Sequence, residues 1–306
     1  MTDINTPCWH LPLAKEVTIV IATADRVGMV NDCIRDFSPL IPRDVELLVV
    51  DAGVGERVDE AVIKEFWGNS RVLRSPRRNL CLQRNMATAA ARGNFLCFVD
   101  DDAAIQPGWW PSIIRPFKDP QVGAVAGAVW SSLPPVLSDK PSGYVTRIGT
   151  SVPCNNRGAG HPKYLDYGVG ANTAYRRQTL LELGGFAEIF GIYDEDIDFG
   201  LRMKTSGWKL VYAHDAPVYH HQGRVRPRVM TKQKQFLLGR NRALLLHRNY
   251  GFFSRLLSAL MVLPLIRLWR AFCETVQFGW TRFGHVAAYW AGMCKGVWEG
   301  RRDRGA

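Results

Sequence analysis

The sequence lacks the cysteine patterns that would indicate a disulfide framework or a zinc module. Its seven cysteines are odd in number and scattered, and no two of them form a C-x-x-C pair. This usage indicates a reducing compartment. The first twenty residues also lack the basic segment and the long apolar run of a secretory signal peptide. We therefore expect a cytoplasmic protein.

Two common glycine-rich phosphate-binding motifs are also absent. No G-x-G-x-x-G follows the first predicted strand, where ATADRVG stands instead, and no G-x-x-x-x-G-K-[ST] occurs in the 306 residues. The phosphates of any bound nucleotide must therefore be neutralised in another way. A divalent cation held by carboxylates is the obvious candidate. The missing glycine-rich loop with a lysine near the N-terminus argues against a nucleotidyltransferase.

Apolar strands and helical segments alternate through the first third of the chain. The near-continuous apolar runs predict buried strands, and such strands suit a mostly parallel sheet with helices on both faces. The fold class is therefore α/β. Ligands of such sheets bind beyond the carboxyl ends of the strands. The predicted strands cover residues 17–24, 45–52, 71–75 and 94–100, and the helix 79–93 precedes the last of them.

A threonine and several aspartates lie at the carboxyl ends of these strands. Thr23, Asp51 and the triplet Asp100, Asp101 and Asp102 all fall at such ends, so we expect them to line one crevice. Asp100 and Asp102 alternate along an extended segment and share one side of it. Mg²⁺ and Mn²⁺ prefer such oxygen ligands and bridge them to a diphosphate. The alternative is a solvated acidic turn that caps the next helix.

Three later features carry chemistry of the same kind. A cluster of acids opens a predicted helix at 195–206, where acids also complement the helix dipole, and one of them is a candidate general base. His220 and His221 lie on opposite faces of a predicted strand, and one of them is a candidate metal or diphosphate ligand. Arg84 is a candidate to contact phosphate or to hold an acid of the crevice, and a solvated helix face is the alternative.

The last quarter of the chain differs in charge from the rest. Residues 224–306 hold 16 Lys and Arg but only three acids, whereas the remaining residues hold 23 basic and 25 acidic side chains. Basic and aromatic amphipathic helices suit an anionic membrane surface. The alternatives are packing on the protein core or on another subunit of a homo-oligomer. Nucleic acid is not an expected partner, because no supporting motif is present.

Six segments, taken in order, resemble the family 2 glycosyltransferases with a GT-A fold. The resemblance implies a GT-A domain over residues 1–223, a Rossmann-like and mostly parallel sheet with helices on both faces. A basic, helical C-terminal region over 224–306 follows it. Two departures are the missing second acid or serine after Asp51 and the missing proline and aromatic residue in ATADR. The six segments are VTIVIATADR, ELLVVDAG, LCLQRNMATAAARGNFLCFVDDDA, GANTAYRRQTLLELGGF, YDEDIDFGLRMKTSGW and VYHHQG.

The resemblance also implies roles for individual residues. Asp196 matches the catalytic base, and Asp102 matches the ligand of Mg²⁺ or Mn²⁺. His220 best matches a later histidine near the metal, with His221 kept as the alternative. The residues implied in donor binding are Thr23, Arg26, Asp51, Arg84, Asp100 and Asp101.

The implied reaction is an inverting, metal-dependent transfer of a sugar from a UDP-, GDP- or dTDP-sugar. The acceptor would be a hydroxyl of a glycan or of a lipid-linked molecule in bacterial cell-surface glycan or glycolipid synthesis. A lipid-linked acceptor would fit a protein peripheral on the cytoplasmic face of the membrane. A non-catalytic, membrane-associated protein that binds sugar nucleotides is an alternative, although the intact acids argue against it.

Overall fold

The computed structural model describes residues 11–132, 136–137, 142–147, 149–154, 164–220, 231–251 and 283–303. Within these residues the helices are α1 (Val27–Phe37), α2 (Glu60–Phe66), α3 (Leu80–Ala90), α4 (Trp109–Ile114), α5 (Arg177–Glu182), α6 (Glu195–Thr205), α7 (Lys232–Asn249) and α8 (Phe283–Asp303). The strands are β1 (Val17–Thr23), β2 (Glu46–Asp51), β3 (Ser70–Arg74), β4 (Phe95–Asp100), β5 (Ala103–Ile105), β6 (Val122–Ser132), β7 (Val136–Leu137), β8 (Gly143–Val145), β9 (Ser151–Pro153), β10 (Tyr164–Leu165), β11 (Asn172–Arg176) and β12 (Lys209–His220).

The main sheet is mixed, and its parallel half matches the prediction. Its order is β10-β12-β6-β11-β4-β1-β2-β3, with β5 added on β12 and β7 on β6. Strands β3, β2, β1 and β4 run parallel, whereas β11 is antiparallel to both of its neighbours. The parallel register pairs Thr23 with Asp51 and Ala22 with Asp100. The carboxyl ends of the three strands therefore meet at one edge, as expected from the sequence.

Both faces of the sheet are buried, because successive residues of its central strands enter different cores. Ile19 and Ile21 of β1 pack with helices α1, α2 and α4 on one face. Val20, between them, packs on the other face with residues of α3, α6 and α7. This period of two in a strand that is apolar throughout explains the run VTIVIAT. The covered sheet holds the site-forming strand ends on a rigid base.

Strand β12 is one continuous strand from Lys209 to His220. Its pairing with β6 is irregular between Ala213 and Val218, the stretch that contains Pro217. A proline cannot donate to the ladder and is tolerated at such irregularities. Beyond this stretch the strand pairs with β5, which places His220 opposite Ala103, next to the acidic triplet.

The first described helix after the predicted domain boundary packs on the sheet domain. Leu244 and Leu245 of α7 are fully buried in the core that also contains Phe199 of α6. Helix α8 then lies close against α7. A Cβ atom at Gly292 would lie 2.0 Å from the Phe236 carbonyl oxygen, and one at Gly296 would lie 2.2 Å from the Arg240 carbonyl oxygen. The boundary near residue 223 stays a prediction, and 221–230 lie outside the described residues.

Candidate active site

The acidic triplet closes β4, and its three side chains have different surroundings. Asp101 is buried, accepts a hydrogen bond from the Thr23 hydroxyl at 2.6 Å and pairs with Arg26 at 2.8 Å. Burial raises the pKa of Asp101 to about 6, although the Arg26 cation opposes this shift. Asp101 therefore braces the turn from inside, and Thr23 and Arg26, both predicted donor contacts, are its partners.

Asp100 and Asp102 converge on His220. The Nε2 atom of His220 lies 3.2 Å from Asp100 Oδ2 and 3.2 Å from Asp102 Oδ1. The second oxygen of Asp102 accepts a hydrogen bond from Arg26 at 2.9 Å. Although desolvation opposes it, the hydrogen bond from His220 and the Arg84 and Arg26 cations lower the pKa of Asp100. The imidazole therefore lies between the two acids predicted to bind the metal and the nucleotide.

These three side chains fit a divalent cation. One potential ligand atom from each of Asp100, Asp102 and His220 lies within 4.8 Å of the others. Two carboxylate oxygens and one imidazole nitrogen are donors that Mn²⁺ accepts, and the oxygens also suit Mg²⁺. Of the two candidate histidines, His220 is the one placed here. His221 lies outside the described residues.

The triplet and His220 line a cavity of about 950 Å³. This volume is at the upper end of the range of small-molecule sites. Thr23 and Arg26 lie on the same wall, and residues 188–193 form another wall. Lys234, Leu237 and Arg240 of α7 also line the cavity. The contribution of α7 was not predicted, because the sequence alone assigns this helix to a separate basic region.

Asp51 does not line this cavity. One of its oxygens accepts from the Gly53 amide at 2.7 Å, and the other accepts from the Val58 amide at 2.9 Å and pairs with Arg74. Its side chain is buried. The aspartate therefore shapes the loop that follows β2, and its proposed contact with the donor stays a prediction.

Asp25 binds the loop that follows β2. Its Oδ1 atom accepts hydrogen bonds from the amides of Val54, Gly55 and Glu56 at 2.8, 2.8 and 3.1 Å. Asp25 itself has a positive φ of 54°. The loop between β1 and α1 thereby fixes the loop after β2, which explains how DAGVG is ordered without an acid of its own.

Arg84 is buried behind the cavity wall. Its Nη1 atom donates to Glu195 Oε1 at 2.8 Å, and its Nη2 atom lies 4.0 Å from Asp100 Oδ1. The guanidinium also lies over the rings of Phe98 and Phe186. Arg84 thus connects the acid at the end of β4 to the first residue of α6. The alternative of a solvated helix face is wrong, because the residue is 3% exposed.

The acids at the start of α6 have different surroundings. Asp194 pairs with Arg242, Glu195 with Arg84, and Asp198 with Arg202 and Arg248. Asp196 is half-buried, and its Oδ1 atom accepts a hydrogen bond from the Ile197 amide at 2.8 Å. Burial, and then the charge of Asp196, raise the pKa of Tyr167 nearby. Its role as the base stays a prediction.

The sequence matches two glycosyltransferase family models. The profile described as Glycosyl transferase family 2 matches residues 18–183, and a second one, Glycosyl transferase family group 2, matches residues 162–294. The chain belongs to glycosyl transferase family 2. Its match extends from β1 through the acidic triplet to α5, and the second match includes His220 and α7. The acidic triplet and His220 therefore both lie in segments that match glycosyltransferase family models.

Individual relatives are distant. The glucosyl-dolichyl phosphate glucuronosyltransferase of Haloferax volcanii is 24% identical over 241 residues, which are 72% of this chain and 72% of that protein. The pre-mycofactocin glycosyltransferase of Mycobacterium tuberculosis is 25% identical over 225 residues, 72% of this chain but 46% of the relative. A mannosyltransferase of Pyrobaculum calidifontis, solved with GDP-Man and Mn²⁺, aligns with a TM-score of 0.60 at 14% identity, covering 95% of this chain and 88% of that one.

These comparisons confirm the predicted GT-A fold, the family and the enzyme class. The protein is a glycosyltransferase that uses a nucleotide-sugar donor. The group formed by Asp100, Asp102 and His220 agrees with the predicted Mg²⁺ or Mn²⁺ cofactor. In the parts of the chain that the structure describes, no helix combines the length and apolar character that a bilayer span requires.

Proposed function

We propose that this enzyme is an inverting glycosyltransferase that transfers a sugar from a nucleoside diphosphate to an acceptor hydroxyl. The observation that carries the proposal is the convergence of Asp100, Asp102 and His220 on one point of a cavity of about 950 Å³. We propose these three residues as the ligands of Mg²⁺ or Mn²⁺. When bound, the cation would neutralise the developing charge of the diphosphate leaving group.

We assign the base role to Asp196. The acceptor hydroxyl oxygen forms the new bond to the anomeric carbon, and its proton passes to the Asp196 carboxylate. The bond from that carbon to the diphosphate breaks, and the diphosphate leaves with the electron pair. Attack on the face opposite the diphosphate inverts the anomeric configuration. The match of the segment YDEDIDFGLRMKTSGW to the part of the family that carries the catalytic base supports this assignment.

We propose a glycan or lipid-linked acceptor, in bacterial cell-surface glycan or glycolipid synthesis. The relative from Haloferax volcanii, named for a glucosyl-dolichyl phosphate acceptor, supports a lipid-linked one. A peripheral position on the cytoplasmic face of the membrane would suit such a substrate. On α8, Trp298 is 48% exposed, and Lys295 Nζ and Arg302 Cζ lie 4.7 and 3.9 Å from the centroid of its ring. Cations beside an exposed tryptophan are typical of a surface that contacts anionic lipids.

Two experiments test these proposals. A panel of UDP-, GDP- and dTDP-sugars, each with Mn²⁺, is screened for thermal stabilisation of the full chain. The donor that stabilises the protein is then incubated with candidate acceptors, and the anomeric configuration of the product is determined. Retention of configuration would contradict the inverting mechanism. Flotation of the full chain with anionic and with neutral vesicles tests the membrane contact. Equal failure to float with both would contradict it.

A further inference from the structure

The loop that leads into α6 has an unfavourable backbone conformation. Tyr193 and Asp194 are consecutive non-glycine residues with φ values of 74° and 62°, in the left-handed region. This region is unfavourable for residues that carry a Cβ atom, which persist there only where the surrounding structure holds them. The same loop lines the cavity through residues 188–193, and Asp196 follows two residues after Asp194. Its conformation therefore sets the position of the proposed base relative to the cavity.

Asn241 of α7 holds this loop. Its side chain is fully buried, and its Nδ2 atom lies 2.9, 2.6 and 2.8 Å from the carbonyl oxygens of Phe190, Ile192 and Tyr193. Its Oδ1 atom accepts a hydrogen bond from Arg240 at 2.8 Å, which fixes the direction in which the amide points. One buried amide group thus contacts three carbonyl oxygens of residues 190–194, and that of Phe190 also accepts a hydrogen bond from the Ile192 amide at 2.8 Å.

Neighbouring contacts complete the attachment. Arg242, the next residue of α7, donates to Asp194 Oδ1 at 3.0 Å and to the Gly149 carbonyl oxygen at 2.7 Å. On its other side the loop is bound to the start of α3, where the Leu80 amide donates to the Gly191 carbonyl oxygen at 2.8 Å. The strained segment is therefore clamped between α3 and α7, and α7 contacts its two left-handed residues.

We propose that Asn241 is a positioning residue for sugar transfer, which acts by holding residues 190–194 so that Asp196 faces the acceptor. The inference rests on the proposed role of Asp196. It assigns a part in the reaction to a helix that the sequence places outside the catalytic domain. Without the amide, the carbonyl oxygens of Ile192 and Tyr193 lose this donor, and the left-handed residues relax because the contact that holds them is gone.

The test compares Asn241→Ala with Asn249→Ala in the full chain. Asn249 is a matched control, because it lies on the same helix and its Nδ2 atom donates to Asp198 Oδ1 at 2.9 Å, away from the loop. Amide hydrogen exchange of the metal-free protein is followed in peptides that cover 188–196. We expect the exchange rate in these peptides to rise by about tenfold or more over the wild type in Asn241→Ala, and not in Asn249→Ala. We also expect its kcat to fall by about 10²-fold with KM for the donor little changed, as for a reacting group displaced by roughly 1 Å.

Each outcome decides the inference. Equal exchange at 188–196 in the two variants, or an equal fall in kcat, would overturn it and leave Asn241 as a packing residue. If Asn241→Ala does not fold, Asn241→Ser is measured instead, because its hydroxyl retains a shorter donor and we expect an intermediate effect. If the wild-type protein transfers no sugar, the proposed function fails, whereas the exchange experiment still decides whether Asn241 holds the loop.

Discussion

The Arg84 guanidinium donates a hydrogen bond to the Glu195 carboxylate at 2.8 Å, and both side chains are almost fully buried. The pair joins the helix before the acidic triplet to the helix that carries Asp196. Removing one partner of a buried ion pair is strongly destabilising, because the other charge stays in a medium that solvates it poorly. The packing around the pair gives a test that leaves both charges in place.

Gly170→Ala should displace this pair. A Cβ atom at Gly170 would lie 2.1 Å from Arg84 Nη2, and the guanidinium can move only by losing buried contacts. We expect a loss of about 1–3 kcal/mol in the free energy of unfolding, the usual cost of overpacking a core, measured by urea denaturation. Gly68→Ala is the control, since no heavy atom lies within 4 Å of a Cβ there. Equal stability of the two variants would contradict the account of Arg84.

Asp196→Asn should separate binding from chemistry. The amide keeps the shape of the side chain but cannot accept a proton from the acceptor. We expect turnover to fall by about 10²–10⁴-fold, with binding of the nucleoside diphosphate and Mn²⁺ retained in calorimetric titrations. Turnover close to the wild-type value would remove Asp196 from the base role.

His220→Ala should weaken metal binding without disturbing the fold broadly. The variant removes one of three ligand atoms that lie within 4.8 Å of one another. We expect Mn²⁺ affinity, titrated in the presence of UDP or GDP, to fall by about tenfold or more. His214→Ala, on an exposed part of β12, is the control. An unchanged affinity in His220→Ala would contradict the proposed ligand set.

Glu46, at the opposite end of the sheet from the site, should make the stability of the protein depend on pH. Although burial opposes it, hydrogen bonds from the Arg92 amide and the Thr18 hydroxyl, together with Arg71, lower the pKa of Glu46 below its ordinary value of 4.5. The stabilisation is therefore fully present above pH 4.5 and is lost as pH falls through the lowered pKa.

Glu46→Gln removes this titration. We expect the variant to be less stable than the wild type by about 1–3 kcal/mol at neutral pH, because hydrogen bonds to a charged acceptor are replaced by weaker ones. The difference should shrink as pH falls below 4.5 in urea denaturation series. A difference that is constant with pH would show that the carboxylate charge does not contribute.

The strand ends of the site could be predicted from the sequence because parallel strands obey a local rule. Apolar runs locate the strands, and parallel pairing then brings their carboxyl ends to one edge, as Thr23, Asp51 and Asp100 show. The pattern does not show how each side chain is used there. Asp51 follows the same rule as Asp100, yet its oxygens are bound by the Gly53 and Val58 amides and by Arg74.

The role of α7 could not be predicted, because it depends on pairs that are distant in sequence. The basic residues of the last quarter of the chain suggest a charged surface. Arg242 and Arg248, however, lie 48 and 50 residues from their partners Asp194 and Asp198. Neither hydrophobic periodicity nor charge content specifies such pairs. Asn241 stands between Arg240 and Arg242 in the sequence, so its local context does not mark it as a buried residue.

The central claim is that Asp102, with Asp100 and His220, holds a cation that makes a sugar nucleotide a substrate. The most direct measurement is the release of nucleoside diphosphate from UDP-, GDP- and dTDP-sugars by the wild type and by Asp102→Asn, with Mn²⁺ and with excess chelator. We predict release from one class of donor by the wild type with Mn²⁺, and loss of that release with chelator or in Asp102→Asn. Undiminished release in excess chelator, or by Asp102→Asn, would contradict the account.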